Sequence, residues 1–262
     1  MDIITIIGLL FGVATVLVAM ILKHIPFSVL LNSAAAVVIF AGTISSVLVA
    51  TPAADLKNLG KVFGVLFGKN RYPSKGDVVQ RLLDYAARAR QGGFLSLEAS
   101  ISQEPDPFLS RCLQLLVDGS DDHTIEESIS VDIEEMQERH AGNAQIFSQA
   151  GSYAPTLGVL GAVLGLVAAL SDLSNTDALS HAISAAFIAT VLGIFTGYVM
   201  WNPMANRLKR KSSLEVQVKN MIMQGVCDIA RGKTPSVIKE NLMAYLTKAE
   251  QKKLGLSGNS GE

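Results

Sequence analysis

Two groups of residues in this chain have the chemistry to hold or pass an ion. The string "MQERH" sets Glu138, Arg139 and His140 side by side. A carboxylate next to an imidazole can bind a metal or exchange a proton. Here they belong to a charged, helically spaced run, and a solvated helix face accounts for them. The cluster Glu134, Glu135 and Glu138 reads the same way. The second group is hydroxyls set inside long apolar stretches. Ser184, Thr190 and Thr196 stand in "HAISAAFIATVLGIFTGYVMW", and each hydroxyl can both donate and accept a hydrogen bond.

Other chemistry is missing. There is no phosphate-binding loop, no Gly-rich dinucleotide turn, no Cys/His metal spacing and no nucleophile elbow in the sequence. ATP hydrolysis has no support, and the chain does not read as an enzyme. No cofactor is called for. The two cysteines, Cys112 and Cys227, lie far apart in polar regions and read as reduced, buried thiols. Net charge is −1, so no bulk field favours nucleic acid.

The elements that must position the hydroxyls are long and apolar. The 262 residues are 49% hydrophobic and only 17% charged, below the usual charged share of roughly a quarter. Residues 3–22, 27–51, 150–171 and 178–201 are each long enough to cross a bilayer, which takes about 20 helical residues. The first lacks a basic leader and a small-residue cleavage site, and reads as a retained span. The spans carry no ionisable residue near their middles; Asp2, Asp172 and Asp177 stand at ends, and His181 near the end of the fourth. A buried intramembrane charge is the usual mark of a proton relay or pump. This chain cannot carry protons across on its own carboxylates.

Lys and Arg set the orientation. Of 22, one lies between spans one and two and none in "SDLSNTD" between spans three and four. Ten lie between spans two and three, and eleven after Trp201. The positive-inside rule puts those two pieces, and both termini, in the cytoplasm. The expected organisation is all-α: spans one and two in 1–51, a helical cytoplasmic loop in 52–149, spans three and four in 150–201, and a helical cytoplasmic tail in 202–262.

Within the loop, Ser74 is placed to cap "KGDVVQRLLDYAARARQGG", whose glycines stop it. A turn at the prolines of "EPDPF" precedes another helix. Thr124 and Glu127 fit a capping box at the start of a helix that runs into span three with little break. The ending "LGLSGNSGE" reads as disordered. There is no strand signal and no internal repeat.

Span three, within "YAPTLGVLGAVLGLVAAL", carries Gly158, Gly161 and Gly165. With Ala162 and Ala169 they form small-residue repeats at four-residue spacing, a smooth stripe that lets helices approach closely. Tight packing within one bundle explains this stripe. A face that holds another protein's helix explains it equally.

Several separate stretches, in order, resemble the MotA family of flagellar stator subunits: "ARQGGFLSLE", "MQERH", "YAPTLGVLGAVLGLVAAL" and "HAISAAFIATVLGIFTGYVMWNPMANRLKRKS". The resemblance covers nearly the whole chain. ExbB and TolQ proteins share the general architecture but typically have three spans. The resemblance implies a pentameric ring around two MotB helices, each supplying in trans the ion-binding aspartate that this chain lacks. It implies a multi-pass protein of the bacterial cell (inner) membrane whose loop pushes the rotor protein FliG. It implies roles for Pro155 and Pro203 in motor function, for Thr190 facing the MotB aspartate, and for Arg90 and Glu98 in rotor contact. From the residues alone, Arg90 and Glu98 are solvated surface charges. Pro155 removes a backbone donor and frees a carbonyl at the start of the span.

Within that family, sodium-driven members carry threonine where this chain has Ala162 after Gly161. Na⁺ needs several oxygen ligands; a proton needs a carboxylate and a hydrogen-bonded path. Ala162 therefore favours H⁺. Three alternatives stay open: a sodium-driven stator, a non-conducting membrane scaffold that recruits cytoplasmic partners, and a solute transporter. The lack of a charge or a broken helix pair at the midplane counts against the last.

Overall fold

A computed structural model of the chain describes residues 3–27, 32–68, 72–171 and 176–254. The segment "DLSN" and the ending from Gly255, for which disorder was expected, lie outside the described residues, as does Asp2. The described residues are helical, with no strand among them.

Four helices are long and apolar enough to span a membrane. They are α1 (Ile3–Leu22), α2 (Ser33–Ala50), the apolar part of α6 (Asp122–Leu170), and a run that starts with α7 (Thr176–Phe195). The last continues through a π-helical stretch, Thr196–Trp201, into α8 (Asn202–Ala230). A second π-helical turn, Val37–Ala41, interrupts α2. Their lipid-like surfaces remain open: Val49, Phe11, Phe187 and Val167 are all exposed.

The remaining helices of six residues or more are α3 (Leu59–Phe67), α4 (Lys75–Gly92), α5 (Pro107–Val117), α9 (Pro235–Met243) and α10 (Lys248–Lys253). Local chemistry sets their ends. The Ser74 side chain accepts the Asp77 N–H and starts α4. Gly93, at φ 74°, ends it in a conformation that side chains resist. Asp106 caps α5, with Pro107 in the first turn where its missing N–H costs nothing. One cap differs from expectation. The Asp121 carboxylate accepts the Thr124 N–H at 2.7 Å, so α6 starts at Asp122 and Thr124 already lies inside its first turn. Asp121 does the capping that the Thr124–Glu127 pair was expected to do, because its short carboxylate stands in the N-cap position.

The chain forms two compact units. One comprises Met1–Asn70 and His140–Arg210, the other Arg71–Arg139 and Lys211–Glu262. In the first, Val62 and Leu66 of α3 pack with Phe147, Ala150, Met204 and Leu208. Phe147 lies 5.4 Å from the Phe63 ring, edge to face, and 6.1 Å from Trp201. In the second, α4, α5, α9 and the described parts of α6 and α8 in that unit enclose a core that includes Leu82, Leu109, Leu113, Ile125, Ile129, Met221 and Ile238. Cys112 and Cys227 are free and buried there. Burial pushes the Cys112 thiol well above its ordinary value and that of Cys227 up to about 11, so both stay protonated and unreactive.

Candidate functional site

In the first unit the small-residue stripe finds its partner within the chain. A Cβ placed on Gly158 would lie 2.8 Å from the Ala189 carbonyl oxygen and 3.0 Å from the Gly193 Cα. One on Gly193 would lie 2.7 Å from the Ala154 carbonyl oxygen. α6 and α7 therefore meet backbone to backbone. The contact opens along α6: a Cβ on Gly161 would be 3.6 Å from the Ala189 side chain and from Val38 of α2, and one on Gly165 would be 3.9 Å from its nearest neighbours. Glycine is needed at the first of these positions and merely small at the last.

The same two helices are irregular at one level. Pro155 lies well inside α6, which starts more than 30 residues earlier at Asp122. It cannot donate to the Gly151 carbonyl four residues back. Gly197, in the π-helical stretch opposite, comes against both the proline ring and that carbonyl. A Cβ on Gly197 would lie 2.7 Å from the Pro155 Cγ and 2.8 Å from the Gly151 oxygen. π-Helical turns are rare and recur at functional sites. No sequence signal marks them.

The hydroxyls sit beside this contact. Thr190 is half-buried and donates to the Ala186 carbonyl of its own helix at 3.2 Å. Its oxygen keeps the capacity to accept a further bond. Thr196 is buried and donates to Leu192 at 2.8 Å. Ala162 is buried within the chain, and Pro203 is exposed in the first turn of α8. His181 is exposed. Sequence reasoning did not single out Thr43 of α2, whose hydroxyl is buried and meets no hydrogen-bond partner among the described residues. A threonine in an apolar run carries no mark of its burial.

In the second unit, Arg90 and Glu98 are both exposed. Arg90 stands in the last turn of α4, and Glu98 begins the single turn Glu98–Ile101. Neither makes an ion pair among the described residues, whereas neighbouring charges do. Arg88 pairs with Asp84 at 2.8 Å, and Glu104 is engaged by Arg81 and by the Tyr85 hydroxyl. Burial and the bond to Glu104 push the Tyr85 pKa upward. Glu134, Glu135 and Glu138 are all exposed on α6. No cluster of His, Cys, Asp and Glu capable of holding a metal occurs among the described residues.

Comparison with known proteins matches this arrangement to one group. Residues 100–221 match the model of the MotA/TolQ/ExbB proton channel family. Motility protein A of Bacillus subtilis is 45% identical over 99% of this chain and 96% of its own. Motility protein A of Helicobacter pylori is 32% identical over 98% of this chain and all of its own. The fold matches a chain in the structure of the flagellar MotAB stator complex from Bacillus subtilis with a TM-score of 0.89, covering 95% of this chain and 98% of that one at 46% identity. Identity of this order, carried end to end through all four apolar helices, means that the chain belongs to the Motility protein A group of the MotA/TolQ/ExbB proton channel family.

Proposed function

We propose that this chain is a stator subunit of a flagellar motor, which with a MotB-type partner conducts protons and turns their flow into torque on the rotor. One observation carries the reading. The end-to-end match to a stator subunit coincides with a half-buried Thr190 hydroxyl, next in sequence to the contact residue Ala189, in spans that hold no carboxylate at mid-depth. Such a site is incomplete without an acid from outside the chain. The MotB-type partner supplies it, and five copies of this chain surround two partner helices. The subunit sits in the bacterial cell (inner) membrane with both termini in the cytoplasm. Residues 52–149 and 202–262 are the cytoplasmic pieces, the first of which meets FliG.

The ion is H⁺. Thr190 and the Gly151 carbonyl freed by Pro155 offer oxygens for a hydrogen-bonded path, and Ala162 adds none. Stripping the water from Na⁺ takes more oxygen ligands than these. Swimming speed is expected to follow the proton motive force and to ignore external sodium. Thr190→Val keeps the shape and deletes the hydroxyl, so rotation should fall sharply while the complex still assembles. Tethered-cell speed across sodium concentrations, with and without a protonophore at fixed external pH, tests this. Speed that climbs with sodium and survives the protonophore would assign Na⁺ instead.

Arg90 and Glu98 make no ion pair among the described residues and are available to the rotor. Exposed ion pairs contribute little singly. One charge reversal should therefore slow swimming partly and the double reversal much more, with complex levels and ion flow unchanged. Full motility of Arg90→Glu/Glu98→Lys cells would remove both residues from the rotor contact.

A further inference from the structure

At one level of the membrane unit a side-chain amide lies against a helix backbone. A Cβ on Gly151 of α6 would lie 2.6 Å from the Asn202 Cγ and 2.9 Å from its Nδ2. The amide thus occupies the place where any other residue at 151 would put its side chain. The carbonyl of the same glycine is the one that Pro155 leaves without its usual donor, and Gly197 packs against it.

The π-helical stretch delivers the amide to this place. The Asn202 N–H donates to the Gly197 carbonyl, five residues back. In a regular α-helix the Trp201 N–H would take that carbonyl. The extra residue turns Asn202 onto the face that carries Gly197, toward α6. Trp201, whose ring lies 6.1 Å from that of Phe147, ends the fourth apolar span, and tryptophan favours the membrane–water boundary. Asn202 follows it and is half-buried, so the amide stands where the span gives way to water.

The Asn202 side chain makes no hydrogen bond to a described residue. An amide offers two donors and an acceptor, and leaving them unpaired in a half-buried place costs free energy. Leucine would fill the same space without that cost. The arrangement fits a bound water, which takes about two to four polar partners: the Gly151 carbonyl, the Asn202 amide and the solvent beyond. Two oxygens are too few to strip Na⁺ of its hydration shell, but they are enough to orient a water or a hydronium ion.

We propose that Asn202 is a positioning residue of the ion path: its amide and the Gly151 carbonyl hold one water molecule at the inner end of the spans, and the proton leaves the membrane through that water. The held water takes up a proton from the span side as it gives one up to solvent on the cytoplasmic side. It is regenerated at each passage, and neither protein group is ionised. This rests on the proton reading above and adds a group that Thr190 and Pro155 do not supply.

The test uses the full complex in motile cells, with complex levels checked for each variant. Low-load speed and torque near stall are measured in H₂O and in D₂O for wild type, Asn202→Ala and Asn202→Asp. Alanine removes the amide and adds no atom that could clash with Gly151. Aspartate keeps the size and an oxygen for the water. Near stall the motor waits on the load, and at low load it waits on ion transfer, so a lost water site shows at low load. Asn202→Ala is expected to assemble, to lose several-fold in low-load speed while keeping most of its stall torque, and to slow more in D₂O than wild type does. Asn202→Asp is expected to recover much of the low-load speed. Wild-type speed and wild-type D₂O slowing in Asn202→Ala would overturn the proposal. So would failure of Asn202→Ala to assemble, or an equal loss at both loads that aspartate does not relieve, since either makes Asn202 a packing residue for Gly151. A wild-type motor that follows external sodium and ignores a protonophore sinks the proton reading and this inference together. A proton-driven wild type that Asn202→Ala matches sinks the inference alone.

Discussion

Gly158→Ala is expected to weaken the membrane unit, and Gly158→Val to prevent its assembly. The nearest neighbours of the added carbon are backbone atoms of α7, the Ala189 carbonyl oxygen at 2.8 Å and the Gly193 Cα at 3.0 Å. Backbone cannot rotate out of the way as the end of a flexible side chain can. α6 and α7 must move apart, and their contacts on both sides of Gly158 loosen. Overpacking by one methyl group costs about 1–3 kcal/mol, and the two extra carbons of valine cost more. Gly193→Ala should do similar damage, because its added carbon meets the Ala154 carbonyl oxygen at 2.7 Å and the Gly158 Cα at 2.8 Å. The double alanine variant should lose less than the sum, since the first substitution has already parted the helices. Gly165→Ala is the contrast. Its carbon meets nothing closer than 3.9 Å, and alanine favours the helix over glycine by up to about 1 kcal/mol. Thermal unfolding of the detergent-solubilised complex decides the matter. Equal melting temperatures for Gly158→Ala and Gly165→Ala would mean that the close approach of the helices is not what the glycines are for.

Asp228→Ala is expected to be the most damaging single change in the other unit. The carboxylate is fully buried. It accepts from Lys233 Nζ at 2.7 Å, Asn241 Nδ2 at 2.7 Å and Gln224 Nε2 at 3.0 Å. Three donors from α8, the turn after it and α9 thus converge on one group. Removing it takes the shared acceptor from a cation and two amides, all half-exposed, and losing a buried charged hydrogen-bond partner of this kind costs about 3 kcal/mol. Asp228→Asn keeps the size but turns a donor toward donors, and should lie between wild type and alanine. Steady-state levels and thermal unfolding of the variants measure this. A Asp228→Ala protein that melts with wild type would show that water replaces the carboxylate at little cost.

Much of the architecture is legible along the chain because its signals are short-range. A run of about 20 apolar residues must find an apolar surrounding whatever else the chain does. The Ser74 cap and the Gly93 stop act within one turn, and the absence of a mid-span carboxylate is a matter of composition. The helical class, the four apolar spans and their lack of a carboxylate at mid-depth follow from these. The exposure of Arg90 and Glu98 also follows, since unpaired charges stay in water. What only the tertiary structure decided depends on residues far apart in sequence. The glycine stripe fits a neighbour in the same chain as well as one in another, and backbone contact between Gly158 and Gly193 assigns its first part to α7. The carbonyl freed by Pro155 is legible in the sequence, but not the π-helical stretch opposite, nor Gly197 packed against that carbonyl. No signal in the sequence singles out Asp228, because a carboxylate is buried only when donors converge on it, and Asn241 reaches it from a different helix. Nor does the sequence separate Phe94 from Leu97; the turn after Gly93 buries Leu97 and leaves Phe94 exposed.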